Sequence, residues 1–260
     1  MDACAKRGKP DDVLLIFEKM RNSGLNPDST SYNTVLDAFA RGDEADSADR
    51  AWDFLCRMND DKLSGLSNVD PTNVSYSSVI NAFARASGRG DGGIHIVKKA
   101  NGVYEKLIEG KRNGTIHGTA DPYANSCFLN CCANIHGMVS EKREALVMAI
   151  KAFEEMKQHP NVHGEPNQYT YGTMMKVCVR LTSNDTEKCK LMESLFLQAC
   201  NRGLLSNAVL HQFLRNTPNH ISSRVILSQG ASKRDIPQSW YRHVPKNHWP
   251  TNDSGYDKRK

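Results

Sequence analysis

Apolar residues recur along this chain at three- and four-residue steps, and no strand-like alternation persists anywhere. In DDVLLIFEKMRNSGL, ADRAWDFLCRMNDDKL, ANGVYEKLIEGKRNG, AIKAFEEMKQHPNVHG and KLMESLFLQACNRGLL, one place is always aromatic: Phe17, Phe54, Tyr104, Phe153 and Phe196. This spacing predicts an amphipathic helix in each segment. Gly24, Gly114, Gly164 and Gly203 lie just beyond the ends, where a helix would stop.

A second pattern alternates with the first. PDSTSYNTVLDAFAR at 27–41 returns as PTNVSYSSVINAFAR at 71–85 and PNQYTYGTMMKVCVR at 166–180. A weaker copy, ADPYANSCFLNCCAN, fills 120–134, and a vestige, SNAVLHQFLRNTPNH, fills 206–220. Polar residues after each proline suit the start of a helix. The unit is therefore helix–turn–helix, and Met1–Arg7 reads as the remainder of a first copy, so the chain opens inside a unit. Stacked hairpins of this kind give an all-α solenoid in which each unit packs on its neighbours. About five units, the first truncated and the last degenerate, are expected over 1–217. A basic, mostly irregular tail is expected over 218–260, with HISSRVIL capping the array. The insertion SGRGDGGIHIVKK is expected to be flexible.

The first helix of each copy has two faces. Tyr32, Val35, Leu36 and Phe39 form an apolar stripe, repeated as Tyr76, Val79, Ile80 and Phe83, and these belong to the core. Four-residue steps on the other face give Asn33, Asp37 and Arg41, then Ser77, Asn81 and Arg85, then Ser126, Asn130 and Asn134, then Gly172, Lys176 and Arg180. Residues four apart lie one above another on a helix. Lys6, Arg41, Arg85 and Arg180 thus recur at one place, as a phosphate backbone running along an array would require. The competing reading is an ordinary solvated face.

Composition adds little to this. The net charge of +5 comes from 34 Lys+Arg against 29 Asp+Glu, yet residues 1–220 hold 26 of each. The excess lies in 221–260, so bulk charge does not argue for a polyanion on the repeats. No 18-residue apolar run exists to span a membrane. The 8 cysteines form no CxxC pair, and Cys127, Cys131 and Cys132 with His136 make a poor metal set. Buried helical thiols in a reducing compartment are the expectation, with no metal, cofactor or catalytic set. Neither a signal segment nor a transit pattern is visible at the start.

Ser-Tyr-Asn-Thr-Val-Leu-Asp-Ala-Phe-Ala, Ile-Phe-Glu-Lys-Met-Arg-Asn-Ser-Gly-Leu-Asn-Pro-Asp and their counterparts Ser-Tyr-Ser-Ser-Val-Ile-Asn-Ala-Phe-Ala and Ala-Phe-Glu-Glu-Met-Lys resemble the pentatricopeptide-repeat family, over roughly residues 1–215. The resemblance implies a right-handed superhelix that binds single-stranded RNA in mitochondria or plastids, one base per repeat. It implies base-reading pairs Asn33 with Thr72, Ser77 with Asp121, Ser126 with Asn167 and Gly172 with Asn207, and Asp28 for the truncated repeat. By the family's code these lean to a pyrimidine, guanine and adenine in turn, with no usual assignment for Gly172 and Asn207. Bases would sit between Thr30, Val74, Tyr123, Tyr169 and Val209. Departures from the motif are Asn125 and His211 for tyrosine and Ala120 and Ser206 for proline. Four pairs address too few bases for a unique transcript, so further repeats before Met1 or a protein partner are expected.

The tail segment SWYRHVPKNHW interleaves aromatic and basic residues, as a base-stacking or partner-docking segment would. Clustered nuclease aspartates and a deaminase-like extension are lacking, so a non-enzymatic, monomeric RNA adaptor in organellar RNA processing is expected. The alternative is a protein–protein scaffold using the same concave surface.

Overall fold

In the computed structural model, residues 1–89, 93–232 and 235–250 are described, and the middle of the 87–99 insertion and the last ten residues lie outside them. Thirteen α-helices form among the described residues, with no β-strand. The chain makes two compact units, one ending at Glu165 and the other beginning at Pro166.

The first unit contains α1 (Asp2–Lys6), α2 (Pro10–Asn22), α3 (Ser29–Arg41), α4 (Ser47–Leu63), α5 (Asn73–Ser87), α6 (Ile94–Arg112), α7 (Tyr123–Ala133), α8 (Val139–Gln158) and the single turn α9 (Pro160–His163). The first helices pack in file, α1 on α3, α3 on α5 and α5 on α7, and each also packs on its hairpin partner. This is solenoid packing, and the expected stripes form its core. Tyr32, Val35, Leu36, Val79, Ile80 and Phe83 are all at most 2% exposed. Phe17 meets Tyr32 edge-on at 4.9 Å and Phe54 at 5.2 Å, joining α2, α3 and α4. Each buried ring contributes about 2 kcal/mol of apolar burial.

Second helices are tied to one another by charge. Arg50 pairs with Asp11, and Arg57 with Glu18 at 2.5 Å, bridging α4 and α2. Lys99 reaches Asp49 at 2.6 Å, and Lys98 reaches Glu144 at 2.8 Å, continuing the links to α6 and α8. The apolar file and the charged file thus set neighbouring hairpins side by side.

The motif tyrosine has a partner that the sequence does not reveal. Tyr32 donates its hydroxyl to the buried Asp61 carboxylate at 2.8 Å, which also receives Arg21 at 3.0 Å. Burial, then the bond to Asp61, raises the Tyr32 hydroxyl above its ordinary value. At the degenerate copy, Asn125 stands in the tyrosine's place, and the hydroxyl comes from α6 instead. Asn125 donates to the Tyr104 hydroxyl at 2.8 Å and to the Ala152 carbonyl at 3.2 Å. Tyr104 in turn contacts His163 Nδ1 at 2.7 Å. The phenol has moved across the helix pair, so the departure from the motif leaves the polar link intact.

Helix ends follow the glycines. Gly24, Gly114, Gly164 and Gly203 all take φ between 70° and 78°, in the left-handed region that a side chain resists. At Gly164 space is also closed, because a Cβ there would stand 2.5 Å from the Pro122 nitrogen. The expected helix AIKAFEEMKQHPNVHG breaks at His159, whose φ of −128° and ψ of 60° reflect the following proline.

The second unit contains α10 (Gln168–Leu181), α11 (Asp185–Asn201), α12 (Asn207–Asn216) and α13 (Asn219–Ser228), then 3-10 turns at Gln238–Trp240 and Lys246–His248. Phe196 stacks on Phe213 at 4.1 Å, and Trp240 closes edge-on against Phe196 at 5.9 Å. The segment expected to be mostly irregular therefore begins with a ten-residue helix, because Val225 and Ile226 are buried at 2% and 1% exposure. Trp240 is core, which removes it from any base-stacking role.

Two predictions follow from these contacts. Gly164→Ala should lower the unfolding free energy by about 2–3 kcal/mol, from strain plus the Pro122 clash, whereas Gly114→Ala, with open space around it, should cost about 1 kcal/mol. Urea titration of both variants tests the difference. His163 is buried and its Nε2 lacks a hydrogen-bond partner; burial, then Arg112, pushes its pKa down to about 4 from 6.5. The unfolded chain therefore takes up the proton first. The stabilising contribution should be full above pH 6.5 and lost as pH falls towards 4. Comparing urea midpoints across that window, the wild type should fall more steeply than His163→Gln.

Candidate nucleic-acid interface

In the first unit, the packed file leaves one strip of each first helix partly exposed. On α3 this strip carries Asn33, Asp37 and Arg41, with Arg41 Nε 2.8 Å from Asp37. On α1, Lys6 sits 2.7 Å from Asp2. Arg85 of α5 lies 4.0 Å from Asp43 and keeps about half its side chain exposed. The recurrent cations are thus on the surface, each beside a carboxylate. Exposed pairs of this type are worth only about 0–1 kcal/mol, so a phosphate can replace the carboxylate at little cost. On α7, Asn134 donates to the Ala84 carbonyl at 3.2 Å, tying α7 to α5.

The residues that follow each repeat's closing proline take a second role as helix caps. Asp28 accepts the Ser31 N–H at 2.8 Å and the Ser31 hydroxyl at 2.7 Å, and both hold its carboxyl below the usual range. Asp121, which follows Ala120 instead of a proline, lies one residue before the α7 N-cap Pro122 and accepts the Tyr123 N–H at 2.9 Å. Thr72 caps α5 through a reciprocal box with Ser75. Capping fixes these side chains at the mouth of the next first helix.

One expected pair is joined directly. Ser75 donates its hydroxyl to Asn33 Oδ1 at 2.8 Å and accepts the Thr72 N–H at 3.1 Å. Asn33 and Thr72, 39 positions apart in sequence, thus share one bridging side chain. Ser77 is 2% exposed, and its hydroxyl has no hydrogen-bond partner, a costly state for a buried polar group. Ser126 is partly exposed on α7.

The expected stacking positions form a register of exposed apolar groups at helix starts. Val74 is 57% exposed and Tyr123 52%, and Thr30 is exposed at the same place. The Tyr123 hydroxyl is pushed up to about 12 by Cys127, then by burial. Cys127 and Cys131 are themselves pushed up to about 12 by burial. Such thiols stay protonated, unlike the thiolates that bind metals. Among the described residues no group of His, Cys, Asp and Glu is placed to hold a metal ion.

In the second unit, Asn167 caps α10 by accepting the Tyr169 and Thr170 N–H groups, both at 3.0 Å. Tyr169 is 56% exposed, again at the helix start. Above Gly172 the surface is open, since an added Cβ would meet only Val209 Cγ2, at 3.9 Å. Asn207 opens α12 and is partly exposed. Arg180 is exposed near the end of α10, while burial, then Arg180, lowers Lys176. Val209 departs from the expected register. It is fully buried, because α12 turns its apolar side into the hairpin core, and it offers a base no surface.

Sequence reasoning missed Ser75, whose position three residues after the cap was its only signal. It also missed Asp61, a buried partner of Tyr32 rather than a surface acid.

Stacked helical hairpins that present one polar strip define an α-helical repeat protein. Residues 1–41 match the PPR repeat family, so the segment from α1 to α3 is a pentatricopeptide repeat. No curated protein matches the chain. No helix among the described residues is long and apolar enough to cross a membrane.

Asp28 serves the fold as well as the strip. Asp28→Ala should cost about 1 kcal/mol of stability in a urea titration, and Asp28→Asn, which keeps an acceptor, should cost a few tenths.

Proposed function

We propose that the chain binds single-stranded RNA on the exposed strip of its first helices, as an adaptor without catalytic activity that acts on organellar transcripts. The observation that carries this reading is the register of exposed Val74, Tyr123 and Tyr169, each beside a capped polar residue. An exposed ring at a repeated place suits the face of an unpaired base, and each stacked base contributes about 1–3 kcal/mol. A base held there meets the polar edge offered by Asn33 and Thr72 in one repeat and by Asp121 in the next, where Ser77, its partner by the family's code, is buried. Within the second unit, Gly172 with Asn207 leaves room for a large base. Lys6, Arg41 and Arg85 exchange their carboxylates for phosphates, and Arg180 is the fourth phosphate contact.

The triple variant Arg41→Ala, Arg85→Ala and Arg180→Ala tests this. In polarisation titrations with single-stranded RNA at about 0.15 M salt, it should bind roughly 10- to 50-fold more weakly, with a shallower salt slope. A duplex of the same sequence should bind poorly to either protein. Equal RNA binding by the triple variant overturns the proposal. Failure of the wild type to bind RNA, with capture of a polypeptide by the same strip, would favour a protein scaffold instead.

A further inference from the structure

The C-terminal segment that follows α13 is packed as a strap on the second unit. The Leu205 N–H donates to the Trp240 carbonyl at 2.8 Å, and the His243 N–H donates to the Gly203 carbonyl at 3.0 Å. Trp240 and Val244 are buried at 8% and 5% exposure, so two apolar side chains and two backbone bonds anchor the strap. A Cβ on Gly203 would come within 2.6 Å of Arg242 Cγ, so the approach depends on that glycine.

The anchored strap delivers its other side chains to Tyr169. His248 Nε2 lies 3.0 Å from the Tyr169 hydroxyl, with the two rings nearly perpendicular and 5.7 Å apart. Contact through the hydroxyl fixes the tyrosine at its tip, and the residue remains 56% exposed. The neighbouring Trp249 is oriented by its own indole N–H, which donates to the Val244 carbonyl at 2.8 Å. Tyr241 lies 5.1 Å from it, and Lys246 Nζ stands 6.0 Å over its ring, at the outer limit of cation–π reach. Trp249 and Tyr241 are both partly exposed. The sequence between 235 and 250 carries Arg242, His243, Lys246 and His248 and a single acid, Asp235.

Oriented rings interleaved with loosely held cations are what a single strand needs, faces for bases and charges for phosphates. A capping element for the hairpin core alone would need Trp240 and Val244, but not an exposed ring cluster joined to Tyr169. We infer that Tyr241, Lys246, His248 and Trp249 form, with Tyr169, a second RNA-stacking cluster that binds bases without reading their identity. This extends the proposed RNA site beyond its repeat pairs and rests on that reading. It supplies affinity for flanking nucleotides, which a chain with few base-reading pairs lacks.

The full chain is titrated with a labelled pool of random 12-nucleotide single-stranded RNA, following polarisation and tryptophan fluorescence. RNA should quench the wild type, and Trp249→Phe should lose most of that quenching, because Trp240 is buried and Trp52 sits on the second helix α4 beneath Lys106, off the strip of the first helices. Lys246→Ala, which removes an exposed side chain without touching the anchors, should weaken binding about fourfold and reduce the salt slope by about 0.7. Binding and quenching unchanged in both variants overturn the second cluster while leaving the repeat site standing. Tighter binding by the variants also overturns it, since the strap would then compete with RNA. If the wild type binds no RNA, both readings fall.

Discussion

A helical hairpin of this length cannot bury its own apolar stripe, so each one depends on the next. In the first unit α3 has α1 on one side and α5 on the other, and α5 lies between α3 and α7. Two neighbours and a hairpin partner cover most of a first helix's circumference. What remains is a narrow strip, which holds Asn33, Asp37 and Arg41 on α3 and Asn81 and Arg85 on α5. The strip's position is a consequence of packing, and its residues are the ones that packing leaves to vary.

Polar contacts then fix how hairpins meet without blurring the apolar file. Tyr32 with Asp61 and Arg21 joins α3 and α4 to α2 of the preceding repeat, and Tyr104 with Asn125 and His163 links adjacent repeats where the motif has changed. A phenol placed on α3 in one copy and on α6 in another serves the same end. The common element is a buried phenol that links adjacent helices, not a tyrosine at one position. Removing either partner would leave an uncompensated buried group, which is why motif departures come as compensating sets.

Local features were legible in the sequence because their physics is local. Stripe residues follow the 3.6-residue period, and Gly24, Gly114, Gly164 and Gly203 mark helix ends through backbone sterics. Caps such as Asp28 and Asn167 act over three residues. Contacts set by the meeting of distant segments were not legible. Tyr32 with Asp61 spans 29 positions, and Tyr169 with His248 spans 79, and no periodicity announces either. Val209 shows the same limit at the strip. Its register predicts exposure, but α12 packs on α10 so that Val209 faces Gly172, and the residue is buried.

The charge distribution bears on how such a molecule could hold a polyanion. A uniformly basic array would repel itself and bind any nucleic acid. Here Lys6 and Arg41 are each held by a carboxylate four residues earlier, which neutralises the repeats as a whole. On the RNA reading, exchanging an exposed carboxylate for a phosphate costs little at each site, while the released carboxylate repels a misplaced strand. Net affinity then comes from bases that stack and hydrogen-bond well, rather than from charge alone. The strap works on the opposite principle, with one acid against one arginine and one lysine over 235–250, and its contribution would be affinity without selection. On the RNA reading, dividing the two tasks between a neutral strip and a basic strap would let the repeats discriminate bases while the strap keeps hold of the strand.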